Sequence, residues 1–273
     1  MAKTPSSGLY VIKIGGQVID DPAACETFLH DFAALPGLKI LVHGGGKLAT
    51  RIGERLGIAS KYVQGRRITD DAALELVTMV YGGLINKQLV ARLQALGCPA
   101  IGLTGADMNA MRAVKRPVKE LDYGWVGDLS AEGIRVEAFE TLLESGQVPV
   151  LAPLTHDGQG HLLNTNADTI ASSVAVALAA HYEVQLVFCF DQKGVLRDPH
   201  DPDSVIPRIR PDDVQHLLQE GALRDGILPK LENAFAACRA GVKQVIIGHA
   251  RALSALAEQA LPAPSAVGTI ICL

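Results

Sequence analysis

Tyr10-Val11-Ile12-Lys13-Ile14-Gly15-Gly16 is an apolar run that meets a lysine and then two glycines. Val and Ile ending in Gly make a buried strand that feeds a tight turn. Lysine is almost never fully buried without a partner, so packing explains Lys13 poorly. In an open α/β sheet, ligands bind outside the carboxyl ends of the strands. Two readings follow from these seven residues. Lys13 is a phosphate-binding lysine beside backbone N–H groups that Gly15 and Gly16 leave accessible, or it snorkels from a strand end while the glycines serve the turn alone.

After this stretch strands and helices alternate. Further strands are expected at Lys39–Val42, Ala100–Leu103, Val148–Leu151, Glu183–Phe190, Val245–Gly248 and Thr269–Cys272, with a short one at Lys61–Val63. Asp21-Pro22 opens a helix that Pro36-Gly37 stops. Thr69 and Asp70 are N-cap candidates for a helix that Gly82-Gly83 is expected to bend or split. Gly65-Arg66-Arg67 reads as a loop, and Asp191–Pro207 as a long one. Between Met111 and Gly133 short pieces separated by Pro and Gly predict inserted β-hairpins, and His156–Gly160 a hairpin turn. The pattern predicts an α/β protein, a three-layer αβα sandwich around a mostly parallel central sheet with β-hairpin insertions. The expected organisation is two lobes of one continuous sheet, residues 1–180 and 181–273.

The 273 residues are 48% hydrophobic and 20% charged, with a formal net charge of −4, so there is no basic field for nucleic acid. No apolar run approaches a membrane span, and the first eight residues have no apolar signal region. Cys25, Cys98, Cys189, Cys238 and Cys272 are scattered and odd in number, which reads as reduced thiols of a cytoplasmic protein rather than a disulfide or zinc framework.

Four further segments have chemistry in them. His43-Gly44-Gly45-Gly46-Lys47 follows a strand and opens a helix, where free N–H groups and the helix dipole favour an anion. Leu48 follows Lys47, so the P-loop pattern fails, whereas Gly44-x-Gly46-x-x-Ala49 fits the dinucleotide pattern, with Arg66 and Arg67 placed for a 2′-phosphate. Arg67 alone suits either bidentate carboxylate recognition or an exposed surface. In Asn164-Thr165-Asn166-Ala167-Asp168 the three polar side chains at alternate positions exceed what one N-cap needs. Lys230 stands at a helix start, against the dipole, where an anion would make it sensible; alone, it reads as an exposed lysine. Asp191-Gln192-Lys193-Gly194-Val195-Leu196 leaves the carboxyl end of a buried strand, where nucleotides bind.

Taken in order, Val11–Gly16, Val42–Gly46, Gly65–Thr69, Leu163–Asp168, Gly226–Ala234 and Gly268-Thr269 resemble the amino acid kinase family over nearly the whole chain. The resemblance implies that ATP with Mg²⁺ phosphorylates the γ-carboxylate of N-acetyl-L-glutamate, in arginine synthesis. It implies that Lys13 and Lys230 contact phosphates and that Asp168 organises both. Gly45, Gly46, Arg67, Asn164 and Asn166 would hold the acylamino acid. Gly15, Gly16, Asp191 to Leu196, Leu223 and Arg224 would lie at the ATP phosphates and nucleotide, with no metal held by the protein itself. Phe190-Asp191-Gln192-Lys193-Gly194 departs from the Ser-Asp-Val-x-Gly of many members. Only eight residues precede the first strand, whereas arginine-inhibited hexameric members carry a longer N-terminal helix; the expectation is an arginine-insensitive homodimer.

A side-chain carboxylate is ionised at neutral pH and needs no general base. The obstacle is repulsion, about 4 kcal/mol for two unit charges 4 Å apart at an effective dielectric near 20, which lysines, Mg²⁺ and glycine N–H groups would offset. N-succinyl-L-glutamate or an aminoadipate derivative is an alternative substrate. An NADP-dependent oxidoreductase and a silent amino-acid sensor are alternatives of other classes.

Overall fold

The computed structural model describes residues 7–63, 66–190, 192–198, 200–223, 227–258 and 268–273. In chain order its strands are β1 (Gly8–Ile14), β2 (Leu38–His43), β3 (Tyr62–Val63), β4 (Arg66–Arg67), β5 (Ala100–Leu103), β6 (Val114–Lys115), β7 (Gly127–Asp128), β8 (Val148–Leu151), β9 (Leu154–His156), β10 (Leu162–Asn164), β11 (Glu183–Phe190), β12 (Arg208–Ile209), β13 (Gln244–His249) and β14 (Thr269–Ile271). The helices used below are α1 (Gly16–Asp20), α2 (Pro22–Ala34), α3 (Gly46–Arg55), α4 (Asp71–Val77), α5 (Asn86–Ala95), α6 (Val136–Glu144), α7 (Ala167–Leu178), α8 (Asp213–Gln219) and α9 (Leu228–Arg239).

Eight strands form one sheet in the order β12-β14-β13-β11-β1-β2-β8-β5. Every neighbouring pair is parallel except β13 and β14. Strands from both halves of the chain therefore share one sheet, with β1 and β11 as the seam. The chain runs from β1 to β2 on one side and returns to β11 on the other, so the switch point lies at the carboxyl end of β1.

Alternation along β1 assigns its side chains to two cores. Leu9 and Val11 pack with Ile170, Ala171 and Val174 of α7. Ile12 and Ile14 pack on the opposite face with Phe28 and Phe32 of α2. Lys13 is two residues beyond Val11, so it emerges on the α7 face.

Asp21 caps α2 by accepting from the N–H groups of Ala23 and Ala24 at 3.0 and 3.1 Å, as Asp21-Pro22 predicts. The other end of α2 is closed by Lys39, which is buried. Its ammonium donates to the carbonyls of Phe32, Ala33 and Leu35 at 2.8, 2.9 and 2.6 Å. Those are orphan carbonyls at the negative end of a helix, so a cation there meets both needs at once. All five cysteines are free thiols, and four are buried. Burial pushes Cys189 up to about 12.

Two features differ from the sequence expectation. Gly82-Gly83 does not split the helix. The chain passes from α4 through a π-helical stretch, Thr78–Ile85, into α5 without a break. Gly82 leaves room for Leu154 and Thr104, which a Cβ would meet at 3.3 and 3.4 Å. Arg66 and Arg67 are a strand rather than a loop, in an antiparallel hairpin that pairs Tyr62 with Arg67. The expected hairpins are present as β6–β7 and β9–β10. Among the described residues no helix is long and apolar enough to cross a membrane.

Candidate active site

Two cavities, of about 240 and 450 Å³, lie at the carboxyl end of the sheet around β1. The smaller is bounded by both glycine loops, Arg66, Arg67, Tyr81 and Asn164. The larger lies on the α7 face against Phe188, Phe190, Ile247 and Lys230. Arg66, Asn166 and Asp168 line both.

Lys13 is 8% exposed and its ammonium is 2.7 Å from Oδ1 of Asp168. The contact follows from the fold: Lys13 ends β1 on the α7 face, and Asp168 stands in the first turn of α7. A carboxylate is favourable there because the helix dipole is positive at that end. Asn166 caps α7, its Oδ1 accepting from the N–H groups of Asp168 and Thr169 at 2.8 and 3.1 Å. Of the three polar side chains one caps, one holds the lysine, and Asn164 donates to Oγ1 of Thr69 at 3.0 Å.

Phe190 brings the two lysines together. In register Lys13 pairs with Phe188, so Phe190 projects beyond it on the same face. The Lys13 ammonium is 5.2 Å from the Phe190 ring centre and that of Lys230 is 4.4 Å from it. Both cations therefore lie over one aromatic ring, whose negative face attracts them. The expected link from Asp168 to Lys230 is not made; among the described residues Asp168 pairs with Lys13 alone. Lys230 is exposed in the first turn of α9, as its position predicts.

The two glycine loops pack on each other. The N–H of Gly44 donates to the carbonyl of Ile14 at 3.0 Å, and a Cβ on Gly44 would lie 3.3 Å from the nitrogen of Gly16. Gly45 has φ 155°, and a Cβ there would collide with Ile85 and crowd Tyr81 at 3.3 Å. Neither Gly15 nor Gly45 offers a side chain to cap α1 or α3. The first-turn N–H groups of α3 are thus left for an anion.

His43 fixes the second loop from behind. It is fully buried on the α2 face, with Nδ1 donating to the carbonyl of Gly44 at 2.8 Å. Nε2 accepts from Asn86 at 3.2 Å, and Asn86 also donates to the carbonyl of Val150 at 2.9 Å. Burial lowers the imidazole to about 4, so it is neutral when folded. The unfolded chain takes up a proton near pH 6.5. Stability is therefore full above pH 6.5 and falls as the pH drops toward 4, by about 3 kcal/mol from this one group. Urea denaturation from pH 7.5 to 4.5 is expected to show that slope, and His43→Gln to flatten it. An unchanged slope in the variant would count against the assignment.

Arg67 is 5% exposed. It donates to Ser60, to the carbonyl of Gly46 at 2.9 Å and to Oγ1 of Thr50 at 3.0 Å, and it stacks 4.8 Å from the Tyr62 ring. Its Nε has no partner, and no Asp or Glu pairs with it among the described residues. Burial pushes the Tyr81 phenol up, with Arg67 opposing, so it stays a hydroxyl.

The structure brings Lys13, Gly16, Gly45, Gly46, Arg67, Asn164, Asn166 and Asp168 to one cavity and Lys230 to the next. It does not bring Gln192, Lys193, Gly194, Val195, Leu196 or Leu223 to either. Val195 and Leu223 are buried in the α7-side core. Lys193 pairs with Asp203, Gly194 packs against Thr269 and Val205, and Leu196 bridges to Val205. Asp191 and Arg224 lie outside the described residues. Sequence reasoning missed Phe190, Tyr62 and Tyr81. Phe190 had one signal, an aromatic side chain at the carboxyl end of a buried strand.

The sequence profile of the amino acid kinase family matches residues 8–249. An acetylglutamate kinase of Bacteroides fragilis is 56% identical over 245 residues, 90% of this chain and 93% of that protein. A solved structure from Streptococcus mutans superposes with a TM-score of 0.72 at 30% identity, covering 97% of this chain and 98% of that one. N-acetylglutamate synthase of Neisseria gonorrhoeae shares the fold, with a TM-score of 0.78 at 21% identity; the chain spans 59% of its length.

Proposed function

The chain belongs to the amino acid kinase family, and on that premise we infer that it transfers the γ-phosphoryl group of ATP to the γ-carboxylate of N-acetyl-L-glutamate. The product is N-acetyl-L-glutamyl 5-phosphate, a step of arginine biosynthesis. Relatives named acetylglutamate kinase at 55–56% identity support it. The observation that supports it most directly is Arg67, a buried guanidinium with an unpartnered Nε, in one cavity with the Lys13–Asp168 pair. A charge desolvated without a counter-ion is costly, and the α-carboxylate of an acylglutamate is an anion of the right shape.

With that carboxylate on Arg67, the γ-carboxylate points toward Lys13. The carboxylate oxygen forms a bond to phosphorus, the bond from phosphorus to the ADP oxygen breaks, and no proton moves. Lys13 stabilises charge on the transferring group, and Asp168 keeps its ammonium in place. Lys230, at the start of α9, holds the ATP phosphates from the larger cavity. The N–H groups of Gly16, Gly45 and Gly46 contribute further donors without bringing side chains. Among the described residues no three His, Cys, Asp or Glu side chains gather as for a metal. In this reading Mg²⁺ enters with ATP as the counter-ion of its phosphates.

The family assignment displaces the oxidoreductase suggested by Gly44-x-Gly46-x-x-Ala49. N-succinyl-L-glutamate remains a second substrate reading, favoured by the surplus cation Arg66 in the wall of the smaller cavity. A cytoplasmic homodimer belongs to the same proposal; Met79, 56% exposed, and Leu84, 39% exposed, give the π-helical stretch an apolar surface that a second copy would cover. The deciding experiment incubates the protein with ATP, Mg²⁺, hydroxylamine and a panel of acylglutamates. The expected result is hydroxamate that requires both ATP and the acylglutamate. No hydroxamate with any member of the panel would refute the kinase reading.

A further inference from the structure

The wall between the two cavities holds one more cation than the proposed reaction uses, and this inference rests on that reaction. Three residues line both cavities: Arg66, Asn166 and Asp168. Asn166 is committed to capping α7, and Asp168 to Lys13. Arg66 is half-buried on β4, next to Arg67, and no Asp or Glu pairs with it among the described residues. Its neighbour is tied down by Ser60, Gly46 and Thr50; Arg66 has no such ties among the described residues.

The anions of the reaction can be matched to the cations. The α-carboxylate of an acylglutamate takes Arg67, the γ-carboxylate and transferring group face Lys13, and the remaining phosphates face Lys230. Arg66 is left without a partner at the border that the phosphoryl group must cross. A partly desolvated guanidinium gains most from a planar oxyanion, which it can grip with two N–H groups.

We propose that Arg66 is an oxyanion-binding residue of the reacting pair. It takes a third anionic group at the border of the cavities, either an oxygen pair of the phosphoryl group in transit or the terminal carboxylate of a dicarboxylic acyl group. In both cases it binds and orients, and neither gives up nor takes a proton.

The test measures kcat and KM for ATP, N-acetyl-L-glutamate and N-succinyl-L-glutamate in the wild type, Arg66→Met and Arg66→Lys. Arg66→Met is expected to lower kcat about 10- to 100-fold on both acyl substrates, with KM little changed, if the phosphoryl group is the partner. It is expected to raise KM about 10- to 100-fold for N-succinyl-L-glutamate alone if the acyl carboxylate is the partner. In either case Arg66→Lys should fall between, since it keeps the charge and loses the fork. Kinetics within about twofold of wild type on both substrates would overturn the proposal. So would a loss of activity that tracks a lowered melting temperature and is not recovered by Arg66→Lys. A wild type that forms no hydroxamate refutes the parent reaction, and this inference with it.

Discussion

Lys13→Ala is expected to lower kcat by roughly 100- to 1,000-fold while ATP affinity changes little, because Lys230 still meets the nucleotide phosphates. The size follows from where Lys13 stands. It is nearly buried at the end of the central strand, held 2.7 Å from Asp168, and faces the cavity where the acylglutamate would lie. A cation fixed in that way needs no reorganisation as charge moves onto the phosphoryl oxygens. Single-turnover kinetics and calorimetric ATP binding separate the two effects. A kcat near wild type would remove Lys13 from the mechanism. Asp168→Ala should be grossly non-additive with Lys13→Ala, since the carboxylate acts through the lysine it holds.

The second large effect is expected at Arg67. Arg67→Lys should raise the KM for the acylglutamate roughly 100-fold with a smaller change in kcat, as expected when binding shared by ground and transition states is lost. Lysine retains the charge but cannot reproduce the hold on Gly46 and Thr50 while presenting two N–H groups to a carboxylate. Because Arg67 also braces the carbonyl of Gly46, a melting curve must accompany the kinetics. An unchanged KM in a stable variant would assign the α-carboxylate to another residue.

The strand-lysine-glycine rhythm was legible because local chemistry dictates it: buried β-branched runs, glycine at turns, Asp21 and Asp70 where helices begin. Asp70 indeed accepts from the N–H of Ala73 at 2.9 Å. What was not legible depends on pairing. Which face Lys13 occupies, and so that it meets Asp168, follows from the alternation along β1 only once α7 is known to cover that face. Phe190 enters the site because β11 is registered beside β1, a partnership no local pattern encodes. Arg67 becomes buried because β3 and β4 form a hairpin that folds it under Tyr62, so the same residue looked equally suited to solvent. The stretch Gln192–Leu196 illustrates the reverse case. Its position after a buried strand is right for a nucleotide loop, yet Val195 turns into the core, where it is 4% exposed.

The placement of β1 has a consequence in time as well as in space. It comes earliest in sequence among the described strands and sits at the centre of the sheet, flanked by β2 and β11. Its β2 edge is satisfied soon after synthesis, but its β11 edge waits until more than half of the chain has followed. Through that interval a strand of almost unbroken hydrophobicity has one unpaired side. Contacts this distant in sequence close slowly. The nascent N-terminal half is therefore the species most exposed to misassembly. Lys13 and Asp168 both precede β11 in the chain, whereas Lys230 follows it, so the site gains its second lysine only when the later part of the chain joins the sheet beside β1.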